Sequence, residues 1–352
     1  MQQKNELTYL FGAGASCKSM PLVNSFCDRY EVYIKFLERM NAHPHFIMEN
    51  QGFNREIRSH ASFYTYFKKL YHQKNREPAI RKDKYFIYLY FLFEHLCDVK
   101  YINDVSTGFE LKCRKECACD PRYDALIAGL LKPYPQKIEF YCNINFLSWN
   151  YDLQLLWSLY RFLGQDVSFR AFLDENRKEQ NIFEFGRQLK VIHLGGLMDP
   201  LEYIDNLNGT PVERLSEIFH ELVENYNNEP YVQEHISGLN FSWENGTDEN
   251  PIPHFIQKAS EAVCRSHSII ITGYSFPLYN RFFDLSIFDE QRLNHKSIYI
   301  TDPNAGDYKK VLHKDFRIAD MEDRNAYVMN PAAPIIYTNC VTENFFVPPQ
   351  IF

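Results

Sequence analysis

TYLFGAGASCKSMPLVNSF, residues 8–26, runs a short apolar stretch straight into a glycine loop. An apolar strand that ends in small residues and leads into a helix bares backbone amides at the helix N-terminus, where an anion can sit. A P-loop needs a glycine immediately before its lysine, and Cys17 stands there, ahead of Lys18 and Ser19. The dehydrogenase fingerprint needs Gly-x-Gly-x-x-Gly and an acid at the end of a second strand. Gly12 and Gly14 fit, but Cys17 takes the third position and the following residues read as a helix. Two readings remain: a phosphate cradle built from Gly12, Ala13 and Gly14 with the Ser16 hydroxyl, or an ordinary strand-to-helix turn.

Working outward, four more segments are apolar, β-branched or aromatic, and end in small or polar residues: INFLSWN (144–150), KVIHLGG (190–196), HSIIITGYS (267–275) and KSIYITDPN (296–304). Continuous apolar strands of this kind belong to sheets covered on both faces. Helical periodicity lies between them, in LVNSFCDRYEVYIKFLERMN, DLQLLWSLYRFL and IPHFIQKASEAVC. The alternation predicts an α/β fold, a Rossmann-like doubly wound parallel sheet. The first strand and loop occupy 1–27, a large helical insertion 28–140, and the rest of the core 141–315, with an acidic insertion at 199–250 and a C-terminal extension at 316–352.

The 352 residues are 45% hydrophobic and 16% aromatic, enough for a large core and far from a disordered composition. The longest apolar run, YFIYLYFLFEHL (85–96), is shorter than the ~20 residues that span a bilayer and is expected as a buried helix. The first residues are too polar for a signal peptide, and the nine cysteines are odd in number and scattered, so a reducing cytoplasm is expected and the sequons at Asn208 and Asn245 would be idle. Cys113, Cys117 and Cys119 lack an obvious fourth ligand, and in HELVE (220–224) Glu224 stands where a zincin needs its second histidine, so no metal is expected. Residues 55–84 are basic and aromatic, but the net charge of −7 opposes a polyanion, and nucleic acid is not an expected partner. That segment and the acidic 199–249 are expected to meet across a subunit interface.

The strand ends are unusually polar. They carry Ser148, Asn150 and Asp152, then His193 before Gly195 and Gly196, then Thr272, Gly273, Tyr274 and Ser275, and finally Asp302 and Asn304. Each alone is an ordinary cap, turn or core histidine, but together they collect at the edge where open sheets bind ligands. In their order, Gly12-Ala-Gly-Ala-Ser16, Asn150-Tyr-Asp152, His193, Gly273-Tyr-Ser275 and Pro303-Asn304 resemble the sirtuin-like NAD-binding domain, and more closely its bacterial antiphage-defence branch. The resemblance covers about 7–310, without the insertion and the tail.

The resemblance implies an NAD hydrolase that cleaves the nicotinamide–ribose bond and depletes NAD in abortive infection. It implies a homo-oligomer held inactive until a trigger or a partner such as a HerA-type ATPase acts. Asn150 and His193 would be catalytic. Gly12, Ala13, Gly14, Ser16, Ser148, Asp152, Gly273, Tyr274, Ser275 and Asn304 would bind NAD, which is the substrate. Residues 194–263 contain no cysteine, so the zinc module of deacylating sirtuins has no counterpart, and Pro21 is followed by Leu22, Val23 and Asn24 where deacylases carry Asp-Phe-Arg. A catalytically silent NAD or ADP-ribose-binding scaffold of a larger defence complex is the alternative.

Overall fold

The structure, a computed structural model, describes residues 6–349 except 74–75, 102–108, 114–118, 134–138, 165, 180, 198–211, 245–251, 317, 319–333 and 342. Cys117, both sequons and the two ends of the acidic insertion lie outside the described residues.

The chain forms β1 (Glu6–Phe11), α1 (Phe26–Arg39), α2 (Pro44–Arg58), α3 (Phe63–Tyr71), α4 (Glu77–Leu96), a hairpin of β2 (Cys97–Tyr101) and β3 (Phe109–Cys113), and α5 (Pro121–Leu130). Next come β4 (Asn143–Ser148), α6 (Gln154–Leu163), α7 (Phe169–Asn176), β5 (Arg177–Glu179), β6 (Ile182–Phe185) and β7 (Leu189–His193). The last part holds α8 (Val212–Glu224), α9 (Glu229–Ile236), α10 (His254–Arg265), β8 (Ser268–Thr272), α11 (Arg281–Ile287), α12 (Glu290–Leu293), β9 (Ser297–Thr301), α13 (Ala305–Asp315) and β10 (Ile335–Asn339).

Eight strands make one sheet in the order β10-β9-β8-β1-β4-β7-β6-β5. The run from β10 to β7 is parallel, and β6 and β5 continue it antiparallel. The expected α/β sheet is therefore present. All five strands read from the sequence lie in it, β1 at the centre. Three others were not anticipated: β5 and β6 form a short edge, and β10 comes from the C-terminal extension, so that segment completes the sheet.

Side chains alternate along β1. Tyr9 and Phe11 enter the larger apolar cluster, with the insertion helices, and Leu10 the smaller, with α10, α11 and α13. Burying both faces in this way accounts for the lack of polar alternation in the strand sequences. The run 85–96 lies in α4, whose residues 85–90 and 92–96 are all buried. Tyr33, Tyr90 and Phe93 pack with Phe36 and Phe219 in an aromatic core that joins α1, α4 and α8. Basic residues of the 55–84 segment reach acidic ones within the same chain: Arg81 pairs with Glu229 at 2.6 Å and Lys84 with Glu244 at 2.8 Å.

From β1 the chain passes to β4 and β7 on one side and only later returns to β8 on the other. The carboxyl ends of β1 and β8 thus flank the point where the winding reverses, which is where open sheets form a ligand crevice.

Candidate functional site

The loops after β1 and β8 touch backbone to backbone. The Gly12 N–H donates to the Thr272 carbonyl at 3.1 Å and the Gly14 N–H to the Gly273 carbonyl at 3.0 Å. A Cβ on Gly12 would stand 2.5 Å from the Gly273 oxygen, and one on Gly14 2.8 Å from the Gly273 Cα. Gly273 itself has φ +61°, which favours glycine, and its own Cβ would meet the Ala15 nitrogen at 2.4 Å. These glycines are required by the contact between two loops. That corrects one expectation: the amides of Gly12 and Gly14 are engaged by the neighbouring loop, and the Ala15 N–H by the Gly12 carbonyl, so they are not bare toward a phosphate. Ala13 makes no such backbone bond among the described residues.

A cavity of about 640 Å³ opens at this junction, within the range of small-molecule sites. Gly12, Ala13, Gly14, Ser16, Asn150, Asp152, Gly273, Tyr274, Ser275 and Asn304 all line it. Ser148 and His193 do not. The Ser148 hydroxyl accepts the Asn150 N–H at 3.1 Å and shapes the turn after β4 from below.

Asn150 and Asp152 are nine-tenths buried and face the cavity together. The Asn150 Nδ2 donates to the Ser16 hydroxyl at 3.0 Å, and that hydroxyl lies 3.2 Å from the Tyr123 hydroxyl. Asp152 Oδ1 accepts the Gln154 N–H at 3.0 Å in a turn that opens α6. Burial pushes the Asp152 carboxyl up to about 6, against the opposing pull of the Gln154 N–H and of Ser16.

His193 sits behind this pair, fully buried at the end of β7. Its Nδ1 is 3.2 Å from the Asn150 carbonyl, which can only accept, so Nδ1 carries the proton and Nε2 is a lone pair. Nε2 has no hydrogen-bond partner among the described residues. Burial holds the imidazole down at about 4, so it is neutral near pH 7. His193, expected to be catalytic, does not line the cavity, and its Nδ1 holds the backbone of Asn150.

At the other end of the cavity, Tyr274 donates to the buried Asp284 carboxyl at 2.8 Å and accepts from Asn280 Nδ2 at 3.2 Å, so its hydroxyl fixes the β8 loop. Ser275 and Asn304 are exposed lining residues. Thr272 and Asp302 stand out in the sequence only as strand-end residues, and nothing in the sequence marks Thr301. Thr272 and Thr301 are register partners on β8 and β9, both line the cavity, and both carry buried hydroxyls without partners among the described residues. Asp302, which accepts the Asn304 N–H at 2.8 Å, is raised mainly by burial.

The insertion supplies the remaining wall. Phe63, Tyr64, Tyr90 and Phe91 line it from α3 and α4. Tyr64 stacks on Tyr279 with ring centroids 4.5 Å apart and planes 13° apart, joining insertion to core. Arg122, at the start of α5, is the one lysine or arginine lining the cavity among the described residues, and it is ion-paired to Asp120 at 2.7 Å. The sequence marks 55–84 only as basic and aromatic, and no spacing rule places Tyr64 opposite Tyr279.

Among the described residues no cluster of three or more His, Cys, Asp or Glu side chains is placed to hold a metal, and no helix is long and apolar enough to cross a membrane. No protein-family model matches this chain, and no curated protein matches it in sequence.

Proposed function

We propose that this chain hydrolyses NAD to nicotinamide and ADP-ribose. The observation that carries the reading is the placement of Asn150 and Asp152, from the end of β4, beside Ser16 in one cavity at the winding reversal of the sheet. An aromatic wall and hydroxyl-rich strand ends fit a ligand with two flat rings and two riboses.

Ordinary glycoside hydrolysis commonly uses two carboxyl groups because the leaving oxygen must be protonated. The nicotinamide of NAD is already cationic. When the bond from C1′ to the ring nitrogen breaks, its electron pair goes to the ring, which departs neutral, and no general acid is required. Water then bonds to C1′ and gives up one proton. Asn150 positions the ribose or the water through its amide without adding charge. Asp152, ionised at neutral pH with its carboxyl near 6, takes the proton.

One observation favours a second assignment of the proton acceptor within the same reaction: the bare, unpartnered Nε2 of His193 directly behind Asn150. The pH dependence of the rate separates the two. With Asp152 as the base, activity rises with pH through about 6, whereas with His193 it rises through about 4.

We place the reaction in antiphage defence by NAD depletion, in a homo-oligomer released by a trigger or by an ATPase partner of the HerA type, on the resemblance of the motifs. The deciding experiment follows nicotinamide release from NAD by the wild type, Asn150→Ala and Asp152→Asn. Release by the wild type that both substitutions abolish supports the reading. NAD that binds and stays whole under every condition replaces it with the silent scaffold.

A further inference from the structure

The two parts of the chain outside the resemblance, the insertion and the C-terminal tail, meet at the glycine loop. Arg122 is 3% exposed and its partner Asp120 is fully buried. The Arg122 Nε donates to Asp120 Oδ1 at 2.9 Å, and its Nη2 lies 2.7 Å from Asp120 Oδ2. The same Nη2 reaches the carbonyl oxygens of Gly14 and Ala15 at 3.1 and 3.0 Å. Asp120 Oδ2 also accepts the Lys18 N–H at 3.1 Å, so the pair grips the loop by carbonyls and by an amide. From the tail, the Phe345 ring lies 4.8 Å from the guanidinium carbon, and the Glu343 carbonyl accepts from Lys18 Nζ at 3.3 Å.

Trans peptide planarity turns this grip into an orientation. In a trans unit the C=O and the following N–H point in opposite directions. A guanidinium that draws the Ala15 carbonyl toward Arg122 therefore fixes the peptide plane that leads into Ser16, the residue whose side chain lines the cavity. It also withdraws two carbonyl oxygens, whose negative ends oppose an anion. The guanidinium has planar, forked donors, and a lysine ammonium cannot take up the same set of partners.

We infer that Arg122 is the positioning residue for a diphosphate: it acts through the loop 14–18 to present that loop, carbonyls withdrawn, to the phosphates of the ligand. The inference rests on the NAD reading above and extends it to the phosphate-holding end of the site. Arg122 does its work by gripping the loop carbonyls from the insertion's side of the cavity, and the tail packs Phe345 on the guanidinium.

The test is calorimetric binding of ADP-ribose and of adenosine to the full chain, as wild type, Arg122→Lys, Arg122→Gln and the milder Phe345→Leu. Thermal melting of each variant checks folding. Arg122→Lys and Arg122→Gln should both weaken ADP-ribose roughly 10-fold or more while adenosine binding stays within about 2-fold, and Phe345→Leu should fall between. If a folded Arg122→Lys or Phe345→Leu binds ADP-ribose as the wild type does, the inference is overturned. Equal losses for ADP-ribose and adenosine also overturn it, since they indicate general damage to the site. A wild type that binds neither ligand overturns the NAD reading and this inference with it, an outcome distinct from both others.

Discussion

Gly12→Ala and Gly52→Ala should change stability in opposite directions, and the structure gives the reason. Gly12 has φ −119° and ψ −172°, an extended conformation open to any residue, so alanine carries no conformational cost there. Its cost is steric. The new Cβ would lie 2.5 Å from the Gly273 oxygen and 2.7 Å from the Tyr274 Cα, and both are backbone atoms that cannot rotate aside. The loops must separate, stretching the bonds from Gly12 to Thr272 and from Gly14 to Gly273. Overpacking costs about 1–3 kcal/mol and each of the two weakened hydrogen bonds about 0.5–1.5 kcal/mol, so a total of about 2–6 kcal/mol is expected. Gly52 lies inside α2 with nothing within 4 Å of the point where an alanine methyl would stand, and alanine there should stabilise by about 0.5–1 kcal/mol. Urea unfolding followed by circular dichroism reads both shifts as midpoints at a common slope. A Gly12→Ala protein that unfolds at the wild-type midpoint would refute the claim that the loops are in close contact.

Three further outcomes follow from the same geometry. Burial holds the Asp284 carboxyl up to about 8 from its ordinary 3.8, so between those values the folded chain keeps a proton that the unfolded chain has released. Stability from this group therefore falls as pH rises across that window, and Asp284→Asn should gain on the wild type from about pH 4 to about 8 in urea midpoints. His193, held down at about 4 from 6.5, has the opposite sign: it destabilises the fold as pH falls from 6.5 to 4, and His193→Gln should flatten that acid limb. Asp302 is a buried acid at the hydroxyl-rich end of the cavity, so NAD should bind roughly 10-fold or more better than NADP, and Asp302→Asn should narrow the ratio; equal binding by the wild type would contradict this.

The sheet was legible because its central strands are short, apolar on both faces and punctuated by polar ends, a pattern that burial between two helical layers imposes. The edge was not: β5 has three residues, Arg177–Glu179, and pairs only with β6, so its sequence carries no burial signal. β10 follows a stretch with no apolar periodicity, and its Thr338 and Asn339 are exposed. Of the candidate site, the residues next to glycines or at strand ends were readable, since local chemistry marks them. Arg122 and Thr301 were not, because their roles come from tertiary contacts with Gly14, Ala15 and Thr272. The His193 motif was visible, but its depth behind Asn150 is set by how β7 packs beside β4, which no local pattern records.

Nicotinamide release from NAD by the purified chain, alone and with the products of neighbouring genes, is the measurement that decides whether this site hydrolyses NAD. Release should rise with pH through about 6 and disappear in Asn150→Ala and in Asp152→Asn. NAD that remains intact in every mixture, or release undiminished in both variants, would contradict it.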